Sequence, residues 1–138
     1  MSEVLHAVVK NTRVLREDNK GASTVCTKGN IMDLTAGLAV DATSSSTRDT
    51  VVGVCNQTIA AAEALTIVPI IIPGKDDTFI MDSTNNSNET HNGQAMILDA
   101  NAHTANNTGT TSAVGVVKQV GIFGAVADKK IIVSFITV

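Results

Sequence analysis

Gly29-Asn30-Ile31-Met32-Asp33-Leu34-Thr35-Ala36 returns further down the chain as Gly93-Gln94-Ala95-Met96-Ile97-Leu98-Asp99-Ala100. Working outward, Val52-Gly53-Val54-Cys55-Asn56-Gln57 returns as Val114-Gly115-Val116-Val117-Lys118-Gln119. Each copy then closes on a β-branched run, Leu65-Thr66-Ile67-Val68 in one and Ile131-Ile132-Val133-Ser134 in the other. A chain that writes the same order of turn, apolar stretch, polar loop and apolar stretch twice is built from two like units. Two units are too few for a solenoid, which needs about three. They predict one pseudo-symmetric domain whose halves pack on each other, with Met32 and Met96 in equivalent buried places.

The stretches themselves read as β. Short apolar runs at near-regular spacing, broken by Gly, Asn, Thr and Ser, point to a compact all-β sandwich or barrel. Gly53 lies inside a strand pattern, where a glycine marks a bulge or a close backbone approach. Ile59-Ala60-Ala61-Ala62-Glu63-Ala64-Leu65 has helical propensity, but the matching stretch Val120-Gly121-Ile122-Phe123-Gly124-Ala125-Val126 carries two glycines and reads as a poor helix. Copy one is expected over about 29–72 and copy two over about 93–136, within a single β-domain spanning 22–138. Between them, Asp82 to Asn92 reads as a long exposed loop. Residues 1–21 fall outside both copies, concentrate charge (Lys10, Arg13, Arg16, Glu17, Asp18, Lys20) and read as an N-terminal arm or a first strand.

Composition narrows the function classes. Hydrophobic residues make up 43% of the 138, enough for a folded core. Aromatics make up only 2%, so that core must be assembled from Val, Ile, Leu, Ala and Met, and self-association would add the burial that large rings usually supply. A net charge of −3 with no basic run beyond Lys129-Lys130 gives no phosphate-tracking face, so no nucleic-acid partner is expected. The start of the chain lacks a basic stretch followed by an apolar one, and Leu65 to Ile72 is too short to cross a bilayer. Neither a membrane partner nor export is expected, and synthesis and assembly are expected in a host cytoplasm.

The search for chemistry is short. Cys26 and Cys55, the only cysteines, lack Cys-x-x-Cys spacing and read as small buried hydrophobes. Asp82-x-Thr84-x-Asn86-x-Asn88 has the alternating oxygens of a calcium loop, but Ser87 and Gly93 replace its glycine and glutamate. His6, His91 and His103 lie in the arm and polar loops. No nucleophile elbow, phosphate loop or dinucleotide fingerprint is present. The expectation is a non-enzymatic protein with no catalytic residues, no cofactor and no metal.

With Val51-Val52-Gly53-Val54 and Ala113-Val114-Gly115-Val116 each followed by a β-branched strand (Leu65–Val68, Ile131–Val133), the chain resembles the head decoration, or cement, proteins of tailed bacteriophages over roughly residues 29 to 136. The resemblance implies a structural virion protein on the outer capsid surface. It would clamp neighbouring major capsid subunits as a homo-oligomer, a trimer before a dimer. Such proteins commonly reach the shell with an N-terminal arm, which makes Val4, Leu5, Val8, Val9, Lys10, Arg13 and Arg16 the candidate capsid contacts. The alternatives are another β-sandwich virion part, such as a head-fibre base or tail component, and a carbohydrate- or calcium-binding module.

Overall fold

A computed structural model describes residues 5–7, 14–20, 25–60, 67–74, 77–99, 101–108 and 112–136, and the side chains of all these except 5–7 and 14–19. The chain is all-β, as its strand-like runs predict, with one sheet curled into a half-barrel and the other into a nearly closed barrel. Among the described residues eleven strands follow in order: β1 (Leu5–Ala7), β2 (Val14–Asn19), β3 (Ile31–Thr35), β4 (Leu38–Asp41), β5 (Val51–Cys55), β6 (Ile67–Ile72), β7 (Thr78–Ser83), β8 (Ala95–Met96), β9 (Thr104–Ala105), β10 (Val117–Ile122) and β11 (Lys130–Phe135). One sheet runs β2-β6-β5-β3-β4 and the other β1-β7-β11-β10-β8, with β9 alongside β7.

The duplication is written into the hydrogen bonds. Gly29 donates to the Cys55 carbonyl and Cys55 donates back to Asn30; Gly93 donates to the Gln119 carbonyl and Gln119 donates back to Gln94. From there the ladders run in step. Met32 faces Gly53 and Met96 faces Val117. Cys55 then faces Ile70, which faces Arg16; Gln119 faces Val133, which faces Phe79. Each unit closes in the same way, through a parallel contact of Lys20 with Ala39 in the first and of Ser83 with Ala105 in the second. The structural unit therefore runs from β2 to β6 and from β7 to β11, taking in strands that lie outside the copies read at 29–72 and 93–136. The ladders also pair Gly53 with the place of Val117, so the two Val-Gly-Val motifs stand two residues out of structural step. A slip of two preserves which face each side chain occupies.

Met32 and Met96 are both buried, as equivalent positions should be. Met32 sits in a core inside the first unit with Cys26, Ala39, Cys55, Ile59, Val68 and Ile70. Met96 belongs to a larger core with Phe79, Met81, Leu98, Val117, Ile131 and Val133, where Phe79 meets Phe135 edge to face. This larger core also takes in Ile31, Ala42, Val54 and Ile71, from the face of the first unit opposite to Met32. The units are thus joined by an apolar face of the first laid against the second, reinforced where Ile31 donates to the Ala102 carbonyl and Arg48 to that of Val114. At the places of Ile31, Val54 and Ile71 the second unit carries Ala95, Lys118 and Ser134, and Lys118 is exposed. The packing is head to tail and stops at two.

The segment from Asp82 to Asn92 is largely exposed, at Asn85, Asn86, Asn88, Glu89, Thr90 and Asn92, as its composition suggests, but it is tied down at buried points. Asp82 and Ser83 end β7, Ser83 and Ser87 are buried, and Glu89–His91 form a 3-10 turn capped by Asn88. Buried Asn107 accepts from the Asn85 N–H and donates to the Asn85 and Asn86 carbonyls. Buried Gln119 donates to the Asn88 carbonyl and to Asn92. Polar residues enter the interior here because these bonds offset their desolvation.

Candidate interaction surface

The residues proposed from sequence as contacts divide between the two units. Leu5 lies on β1, opposite Ile80 of β7, and so belongs to the second unit's sheet. Arg16 lies on β2, opposite Ile70 of β6, in the first. Val4, Val8, Val9, Lys10 and Arg13 lie outside the described residues. The N-terminal stretch therefore supplies one strand to each sheet.

An exposed apolar surface on the second unit escaped the sequence reading. A bulge between Gln119 and Gly121 takes Val120 out of the β10–β11 ladder and leaves it 45% exposed. Beyond β10, Phe123 donates its N–H to the Lys130 carbonyl while the residue stays 46% exposed. The chain then turns through Gly124 into a 3-10 turn at Val126–Asp128, where Val126 is 50% exposed. Ile122 and Val126 form one wall of a cleft of about 390 Å³, and Ser87, Asn88 and Glu89 form the other. Apolar side chains with a polar rim are what a protein contact needs. The signal was present in the sequence: an apolar stretch whose glycines exclude a helix has no helical face to bury.

A second, polar cleft of about 460 Å³ lies where β7 meets β9 and β11, lined by Asp82, Thr84, Asp99, Thr104, Asp128 and Lys130 among others. Its carboxylates are engaged. Asp82 pairs with Lys130 at 2.6 Å and has His103 Nδ1 at 3.7 Å. Asp99 accepts from the Thr84 hydroxyl at 2.7 Å, and Asp128 accepts from the Ala125 N–H at 3.0 Å. Asn88, the last oxygen of the calcium-like spacing, caps Thr90. Among the described residues no group of three or more His, Cys, Asp or Glu is placed to hold a metal.

Cys26 and Cys55 are both buried and unbridged inside the first unit. Burial pushes the Cys26 thiol up to about 11, with Cys55 and Asp41 adding to the shift and Lys20 opposing it. Burial likewise raises Cys55, against a bond to the Gln57 carbonyl. Both thiols are therefore held in the unreactive form. Asp41 is also raised by burial, against a hydrogen bond donated by Asn30. Among the described residues no helix is long and apolar enough to cross a membrane. No protein-family model matches the chain, and no curated protein matches it.

Proposed function

We propose that this chain is a structural, non-enzymatic virion protein that decorates an icosahedral phage capsid from outside, as a homo-oligomer, and holds neighbouring major capsid subunits together. The observation that carries this reading is the tandem of two like β units fused through an apolar face into one body. A body of this kind offers similar strand edges and loops twice to a lattice whose subunits also repeat. Contacts made together add in free energy, so weak single interfaces suffice. The exposed Val120, Phe123 and Val126 give such a body apolar side chains to offer, and Val126 stands beside the polar wall of a cleft. The polar cleft is open, and its Asp82, Asp99 and Asp128 are already engaged within the chain.

The test is solution mass by light scattering, followed by co-sedimentation with undecorated capsids of the source virus. A stable oligomer that saturates shells at a copy number fixed by their symmetry supports the proposal. A protein that stays in the supernatant at every concentration overturns it.

A further inference from the structure

Asn92 is the one asparagine in the chain that a glycine follows. Such a pair can react with itself. The glycine backbone nitrogen attacks the asparagine side-chain carbon Cγ and forms a new C–N bond. The Cγ–Nδ2 bond breaks, and ammonia leaves with the proton that the attacking nitrogen gives up. Water from the solvent then opens the cyclic imide at either carbonyl, leaving aspartate or an isoaspartate whose chain runs on through Cγ. Here the turn into β8 keeps the glycine, because residue 93 has φ +89°, a conformation that L side chains rarely adopt. Asn92 and Gly93 are both exposed, so water reaches them.

One residue holds both reacting groups. Gln119, wholly buried on β10, donates from Nε2 to Asn92 Oδ1 at 2.9 Å, and its carbonyl accepts the Gly93 N–H at 2.8 Å. The same Nε2 donates to the Asn88 carbonyl at 2.8 Å, which anchors the side chain. A nitrogen held as a donor is not free to attack. Ring closure also needs the Gly93 nitrogen eclipsed with Cβ about the Asn92 Cα–C bond, which for an L residue falls at negative ψ; Asn92 has ψ 131°. The first unit supplies the comparison. Lys28-Gly29 stands in the place of Asn92-Gly93, and Cys55 in the place of Gln119. The backbone bond is kept, Gly29 donating to the Cys55 carbonyl at 2.9 Å, but neither residue there carries a side-chain amide. The reactive pair and its clamp thus occur together in one unit and are both missing from the other. We infer that Asn92 is a latent self-modification site, its side-chain amide lost to attack by the Gly93 nitrogen when the turn opens, and that Gln119 is the positioning residue that keeps the site shut in the folded chain. Isoaspartate at 92 adds an atom to the backbone ahead of Gly93, so the bond to Gln119 cannot reform in register. The product therefore marks chains that have opened.

The experiment is peptide mapping by mass spectrometry, following each asparagine of the full chain during warm, mildly alkaline incubation, in native buffer and in denaturant. In denaturant Asn92 should convert faster than every other asparagine. In native buffer it should convert more slowly than in denaturant by about tenfold or more, because only opened chains react. Gln119→Met is close in shape and removes an Oε1 that has no partner among the described residues, so the fold should hold. In that variant native conversion at Asn92 should rise by about tenfold while the other asparagines keep the parent's rates, a pattern that general loosening would not give. Three results overturn the inference: Asn92 converting as fast in native buffer as in denaturant, another asparagine overtaking it in denaturant, or a folded Gln119→Met that converts at the parent's rate. If Gln119→Met loses its melting transition, the parent's native and denatured rates still decide, and a ratio near unity overturns the inference.

Discussion

Gly53 is the position at which one added methyl group matters most. A Cβ there would lie 2.1 Å from the Ile71 carbonyl oxygen, a backbone atom of the neighbouring strand that cannot move aside alone. Gly53→Ala should therefore cost more than about 2 kcal/mol, read as a lower urea midpoint at unchanged slope. Cys26 supports a prediction in pH. An unfolded thiol releases its proton near 9.0, whereas the buried one holds it to about 11. Between those values the native state binds more protons than the unfolded state, so stability falls as pH rises through that window and is unaffected by this group below it. Denaturant titrations at pH 8, 9.5 and 10.5 should show the decline in the parent and a shallower one in Cys26→Ala. At pH 8 neither Cys26 nor Cys55 should react with a thiol reagent until denaturant is added.

At the scale of strands, the two N-terminal elements carry unequal weight. β1 pairs over three residues at an edge, while β2 pairs with β6 over six. Removing residues 1–9 should leave a cooperative but lower melting transition. Removing residues 1–20 should abolish cooperative melting, because it uncovers β6 and takes away the buried Lys20. Circular dichroism melts of the two truncations check both. Part of this was legible in the sequence. The β-branched runs that became β6 and β11 sit where expected, and the paired Gly-x-x-Met stretches became equivalent strand entries. The equivalence of β2 with β7 was not legible, because it resides in which backbone each strand pairs with: Arg16 and Phe79 share a place and no chemistry. Nor was the interior of the 82–92 segment, since Ser83 and Ser87 look the same whether water or the chain satisfies them. The exposed Phe123 and Val126 were signalled by an apolar stretch whose glycines exclude a helix, whereas the exposure of Val120 depends on a bulge, and bulges follow from register.

Across the whole molecule, the junction between the units is one-way. The first unit spends its Ile31–Val54–Ile71 face on the second, which carries Ala95, Lys118 and Ser134 at the same places. Meanwhile the hairpin of the first unit that matches the joining end of the second, including Leu38, is exposed. Lys118→Ile should restore an apolar seat for that hairpin from a neighbouring molecule and turn a closed pair into an open chain. Light scattering should then show a mass that grows with concentration, where the parent stays constant. In the parent, a lysine is what meets the water at the end of the stack. A molecule built this way has two unlike ends, and the one that carries the lysine offers a further copy no apolar footing.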